Sequence, residues 1–274
     1  MQPMVITAAM VGAEVTREQT PYLPISAEEI AEDAAKCREA GAAMVHLHVR
    51  TPDGKPSQDR ELFRAAIRAI RARCDVLVQV STGGAVGMSV DERCGGLELT
   101  GADRPDMATL TTGTINFGPD VFWNPRPLVR DIATRIKGLG LKPEIECFDV
   151  GMIDEARALA KEGFIELPAH FDFVLGVGGA LAADERALDF MRSYVPEGST
   201  WTCAAMGRHQ LPFVEVVARR GGNSRVGMED NIFLSKGVLA KGNYELVAEA
   251  ARRTKAAGRE LATPQQAREL LRLT

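Results

Sequence analysis

Short apolar runs recur along the chain, separated by stretches of helical length with mixed polarity. Eight of these runs read as strands, at 4–8, 44–49, 76–80, 107–110, 144–148, 173–177, 200–204 and 224–227. Most are apolar on both faces, which is the pattern of parallel strands covered by helices, and their alternation with helices predicts an α/β architecture. The first helix is clearly punctuated: Ser26 is the N-cap, Glu29 completes a capping box and Gly41 closes the helix before the second strand. Further helices are predicted over 57–73, 128–137, 154–162, 185–194 and 210–220. Thr263-Pro264, with Gln266 at the capping-box position, opens a short terminal one. A doubly wound sheet also fits the alternation, but the count of eight favours a single (β/α)8 TIM barrel. No linker or charge block divides the chain, so residues 1–274 are expected to form one domain.

Bulk composition narrows the classes without choosing among them. The 274 residues are 45% apolar and can bury a substantial core. A formal net charge of -4 argues against broad electrostatic capture of nucleic acid. The first residues lack a basic segment followed by a signal-peptide core, and no apolar stretch reaches the roughly 18 to 20 residues of a membrane span, so a cytoplasmic location is expected. Five widely spaced cysteines (Cys37, Cys74, Cys94, Cys147 and Cys203) contain no Cys-x-x-Cys pair, which points to single thiols rather than a disulfide framework or a cysteine zinc site.

Candidate chemistry collects where a barrel puts it, at the C-terminal ends of strands and in the loops beyond them. The second strand carries His46 and His48, the third ends in Ser81-Thr82-Gly83-Gly84, and the fourth holds Thr109, Thr111 and Thr112. Glu144 and Glu146 lie on the fifth, and the eighth runs into Arg225-Val226-Gly227-Met228-Glu229-Asp230-Asn231. His46 and His48 are two of only four histidines and, at a spacing of two in a strand, face the same side. Such a pair either hydrogen-bonds at a strand end or binds a metal. Glu229 supplies a third ligand and would leave zinc an open position. Strands two and eight both border strand one in a barrel, so the three side chains can meet. Asp230, near Arg225, reads either as a general base oriented by the guanidinium or as half of a structural ion pair. The Ser81–Gly84 turn permits close backbone approach to a ligand and can bind an anion or oxyanion. Gly176-Val177-Gly178-Gly179 lacks the full dinucleotide-loop pattern and is assigned no such role. His170 and His209 have no paired partner and read as structural or surface histidines, and Glu14 on its own is a loop carboxylate.

Taken together, these segments resemble the β-keto acid cleavage enzymes. The resemblance runs nearly end to end, through Gly12-Ala13-Glu14, Leu23-Pro24-Ile25, His46-Leu47-His48, the segment from Ser81 to Gly87 that includes Val86, Met107-Ala108-Thr109-Leu110, Gly113-Thr114, Asn116-Phe117-Gly118, Glu229-Asp230-Asn231-Ile232-Phe233 and Ala262-Thr263-Pro264. It implies a zinc-dependent (β/α)8 barrel, typically a homotetramer, that condenses a β-keto acid with acetyl-CoA and returns acetoacetate and a new acyl-CoA.

By position, the resemblance implies that His46, His48 and Glu229 bind zinc and that Asp230 is the base, supported by Arg225. It implies further that Ser81, Gly84, Thr109 and Glu146 surround the keto acid, with Ser81 and Thr109 donating to developing oxyanions. Glu14 matches the residue that holds the ammonium of 3-keto-5-aminohexanoate in lysine fermentation, which makes that compound the expected substrate and 3-aminobutyryl-CoA the product. Thr111 departs from the family pattern, which has an asparagine there, and this leaves room for a different keto acid. Dehydrocarnitine is the nearest rival, although its quaternary ammonium favours aromatic neighbours and only Tyr22 is close to Glu14 in sequence. A metal-dependent lyase or hydrolase that ignores coenzyme A, and a ligand-binding barrel with structural zinc, are the alternatives from other classes.

Overall fold

Eight parallel strands close on themselves: β1 (Ile6–Ala9), β2 (Met44–Leu47), β3 (Leu77–Val80), β4 (Met107–Thr111), β5 (Lys142–Cys147), β6 (His170–Leu175), β7 (Thr200–Ala205) and β8 (Asn223–Val226). Each strand pairs in parallel with its neighbours in sequence, and β1 closes the ring against β8 and β2. The molecule is seen in a computed structural model that describes residues 1–85 and 87–273. Val86 of the Ser81–Gly87 segment and Thr274 at the end of the expected domain lie outside the described residues.

The intervening helices are α1 (Ala27–Ala40), α2 (Arg60–Arg71), α3 (Val90–Arg93), α4 (Arg126–Gly138), α5 (Val150–Lys161), α6 (Glu185–Tyr194), α7 (Gln210–Arg219) and α8 (Asn243–Ala256), followed by a terminal α9 (Pro264–Leu270). The capping boxes at Ser26 and Thr263 form as the sequence predicts. Helix α2 starts later than residue 57, because Asp59 caps it and Pro56–Ser57 instead pairs with Val49–Arg50. Helix α5 starts earlier than residue 154, with Asp149 accepting from Met152 N. Helix α8 was not anticipated: Gly242 at its N-cap makes no side-chain capping bond, so the usual start signal is missing. Strands β5 and β6 begin at Lys142 and His170, earlier than the apolar runs suggest: half-buried Lys142-Pro143 opens the first, and the buried polar residues His170 and Asp172 break the apolar pattern of the second.

Two features prepare the ends of the barrel. At the N-terminal end, α9 sets Ala267 and Leu271 against Val5, Met44, Leu77 and Met107, forming an apolar floor. At the C-terminal end, three hairpins follow β2, β4 and β8: Val49–Arg50 with Pro56–Ser57, Ile115–Phe117 with Asp120–Phe122, and Phe233–Ser235 with Val238–Leu239. The loop after β8 packs directly on β1. Gly227, at φ 151°, passes so close to the Ala9 carbonyl that a Cβ would collide with it, and only glycine satisfies both constraints.

Asn243 ties this loop to the rest of the barrel. Its Oδ1 accepts from Met228 N at 2.7 Å, and its Nδ2 donates to Met10 O at 2.9 Å and to Asp33 Oδ2 at 2.7 Å. Asp33 of α1 also accepts from Asn243 N at 3.0 Å; burial pushes its carboxyl above the usual range, and these bonds only partly offset that. Asn243→Ala leaves several buried polar groups without partners and is expected to lower unfolding free energy by about 1–3 kcal/mol in urea titration. An unchanged midpoint would mean that the network contributes nothing.

Candidate active site at the barrel mouth

The strand ends bring His46, His48 and Glu229 into one cluster whose donor atoms lie within 4.8 Å of one another. His46 is on β2, His48 follows its last residue, and both imidazole Nε2 atoms lie 3.5 Å from Glu229 Oε1. Two donors held about 2.0–2.2 Å from a tetrahedral ion are themselves roughly 3.3–3.6 Å apart, so the observed spacing fits zinc. A second observation points the same way: His46 Nε2 and Glu229 Oε2 are buried without a hydrogen-bond partner among the described residues. His46 Nδ1 lies 2.7 Å from Gln79 Oε1, so the ring donates there and directs the Nε2 lone pair into the cluster. Gly12, at φ 58°, lies behind Glu229: a Cβ on it would sit 2.5 Å from Glu229 Cγ.

Arg225, almost fully buried, organises the carboxylates. Its Nε and Nη2 donate to the two oxygens of Asp230 at 3.0 and 2.9 Å, a bidentate fork, and Nη2 also meets Glu229 Oε1 at 2.6 Å. Nη1 donates to Glu146 Oε1 at 3.3 Å and lies 3.8 Å from Asp172 Oδ2. Burial disfavours the guanidinium's charge, but the surrounding carboxylates outweigh it and hold its pKa well above the usual value. Burial likewise opposes ionisation of Glu229, yet Arg225, His46 and His48 hold its carboxyl well below the usual range. For Asp230 burial wins over Arg225, so its carboxyl is raised, which makes its anion a stronger base.

These groups share a cavity of about 130 Å³ lined by Glu14, His48, Ser81, Gly84, Glu146, Arg225, Glu229 and Asp230 among others. Two expected site residues lie behind its wall. Thr109 is fully buried, accepts from Thr82 N at 3.0 Å, and receives the Thr82 hydroxyl on its carbonyl at 2.7 Å, so it holds the turn that carries Ser81. Thr111 donates to Glu146 Oε2 at 2.7 Å. His170 is buried and satisfied, 3.0 Å from Glu144 and 2.7 Å from Thr200 Oγ1, while His209 lies in a short 3₁₀ turn beside Arg208.

Several residues at or around the site escaped the sequence reading. Gln79 is a polar residue within an apolar run, a signal present in the sequence, whereas Asp172 precedes the run at 173–177. Phe117, Phe122 and Phe148 line the same cavity as Glu14 and meet edge to face, with centroids 6.2 to 6.4 Å apart. The aromatic surroundings that looked absent near Glu14 are therefore supplied by distant loops, and Tyr22 is not among the lining residues.

A closed parallel barrel with imidazoles, carboxylates and a guanidinium converging at its C-terminal mouth has the anatomy of a barrel enzyme. The chain belongs to the beta-keto acid cleavage enzyme family, whose model matches residues 3–273. It is 50% identical over 275 residues to a 3-keto-5-aminohexanoate cleavage enzyme of Fusobacterium nucleatum subsp. nucleatum, covering 100% of this chain and 99% of the relative. It is 40% identical over 277 residues to a 3-oxoadipate:acetyl-CoA acetyltransferase of Cupriavidus necator, covering 99% of this chain and 95% of that one. Among solved structures, apo ObcA shares the fold, with TM-score 0.79 and 21% identity over 92% of this chain and 66% of that chain. No helix among the described residues is long and apolar enough to cross a membrane.

Gln79→Leu removes the acceptor that orients His46 while keeping the strand apolar. It is expected to weaken the affinity of the His46, His48 and Glu229 cluster for added zinc about 10- to 100-fold in equilibrium dialysis, with little change in melting temperature. Wild-type affinity would exclude Gln79 as an orienting group.

Proposed function

We propose that the protein cleaves a cationic β-keto acid, 3-keto-5-aminohexanoate, in an acetyl-CoA-dependent reaction that yields acetoacetate and 3-aminobutyryl-CoA. The observation that carries this reading is the bidentate Arg225–Asp230 pair, set beside the His46, His48 and Glu229 cluster in a cavity that also contains Glu14. The 50% identity to a relative named for that substrate supports it, as does the acetyl-CoA in the name of the 40% relative.

His46, His48 and Glu229 would hold zinc, which when bound polarises the keto and carboxylate oxygens of the substrate as a Lewis acid. Asp230 removes a proton from the carbon between those groups, and Arg225 keeps its carboxylate aimed there. The substrate carbanion attacks the acetyl carbon of acetyl-CoA and releases the thiolate. That thiolate adds to the original keto carbon, the carbon–carbon bond breaks, and acetoacetate leaves after the proton returns from Asp230. Ser81 donates to a developing oxyanion, and Thr109 acts through the turn it holds. Gly84 lets backbone approach the keto acid, Glu146 faces it under the hold of Thr111, and Glu14 receives the ammonium. The same reading takes residues 1–274 as one catalytic domain that assembles as a homotetramer and serves lysine fermentation in the cytoplasm.

The three phenylalanines favour a second reading on one point, because aromatic faces also suit the quaternary ammonium of dehydrocarnitine. Assays on both acids decide between them. Asp230→Asn is expected to lower turnover about 10²- to 10⁴-fold with zinc content unchanged, and acetoacetate release that persists without acetyl-CoA would sink the mechanism. Glu14→Gln is expected to reduce kcat/KM for the aminated acid roughly 3- to 10-fold and to spare neutral β-keto acids, as suits one partly exposed charge pair. Equal losses on both substrates would remove Glu14 from substrate recognition.

A further inference from the structure

Asp172 is a fully buried carboxyl that the proposed reaction does not use. It lies on β6 beside Glu146 of β5, and neither of its oxygens has a hydrogen-bond partner among the described residues. The charged group it faces is Arg225, whose Nη1 is 3.8 Å from Asp172 Oδ2. That nitrogen marks the back of the guanidinium, since Nε and Nη2 form the fork on Asp230. A planar guanidinium held only by its front edge can rotate or slide, and the fork tolerates little of either.

We propose that Asp172 is a positioning residue, filling the space behind Arg225 so that the Nε–Nη2 edge stays aimed at Asp230. Glu146 meets the same nitrogen at 3.3 Å, and Asp172, its partner across β5 and β6, lies 3.8 Å from it. The state of the carboxyl follows from its neighbourhood. Burial, together with Glu144, Glu146 and Asp230, pushes its pKa well above the usual range despite Arg225, a shift that favours the neutral acid. Asparagine reproduces the shape and charge of the neutral acid, whereas alanine opens a space into which the guanidinium can move.

The inference rests on Asp230 being the base, so the experiment combines turnover with readouts that do not depend on turnover. Asp172→Ala is expected to lower kcat about 10- to 100-fold, the scale of a misplaced catalytic group, with KM for acetyl-CoA and zinc content unchanged. Asp172→Asn is expected to restore kcat to within about 3-fold of wild type, a difference below one decade of free energy. Wild-type kcat in the alanine variant, or an asparagine variant no better than alanine, overturns the proposal. If the alanine variant does not fold, the asparagine variant still decides: a kcat loss beyond about tenfold with normal zinc content overturns it. Infrared difference spectra at neutral pH supply the independent measurement. The wild-type minus Asp172→Asn difference is expected to show the carbonyl band of a protonated carboxylic acid, and its absence from that difference overturns the neutral-acid state. Should wild type show no turnover with acetyl-CoA, the reaction assignment fails, and the infrared band still tests Asp172.

Discussion

One guanidinium sets the electrostatics of the barrel mouth. Arg225 contacts Asp230, Glu229 and Glu146 directly and faces Asp172, so a single buried cation serves four carboxyl groups. Buried charges are costly to desolvate, and removing one partner leaves the others uncompensated. Arg225 and the two imidazoles outweigh the burial of Glu229 and hold its carboxyl well below the usual range, whereas Asp172 is pushed well above it because that compensation does not stretch further. The opposite directions in which Glu229 on one side and Asp230 and Asp172 on the other are pushed therefore follow from how one positive charge is shared.

Backbone that cannot drift is what makes that sharing reproducible. Gly227 lets the loop after β8 lie against the Ala9 carbonyl, Gly12 closes on the back of Glu229, and Asn243 ties Met228 to Met10, just beyond β1, and to Asp33 of α1. These contacts hold Glu229 opposite histidines that lie more than 180 residues earlier in the chain. The α9 floor below and the Phe117, Phe122 and Phe148 wall above are apolar, so the polar layer lies between low-dielectric surfaces where fixed charges act strongly.

How much of this was readable depended on whether the information was local. Strands covered on both faces announce themselves as apolar runs, and all eight were found. His46 and His48 were legible because strand geometry converts a spacing of two into a shared face. Glu229 became legible only through closure of the barrel, which makes β2 and β8 both neighbours of β1. Asp172 was lost with the start of β6, because the alternation His170-Phe171-Asp172-Phe173 turns polar groups into the barrel and breaks the apolar run. Asn243 was lost with α8, whose capping residue carries no signal, and the aromatic wall was lost because its members come from two loops far from Glu14 in sequence.

Thr111 gains a clearer meaning from its neighbours than from its type. Its hydroxyl does not line the cavity but donates to Glu146 Oε2, while Glu146 Oε1 receives Arg225 Nη1. Residues Thr111, Glu146 and Asp172 lie side by side across β4, β5 and β6, so the hydroxyl is the first member of a row that ends at the guanidinium. An amide at this position is longer and carries two donors, enough to satisfy Glu146 and reach further into the cavity; the hydroxyl spends its single donor on Glu146. Thr111 thus leaves no side-chain donor for the cavity and braces the carboxylate that Arg225 Nη1 meets. Thr111 therefore stands at the start of a chain of contacts that runs through Glu146 and Arg225 to Asp230.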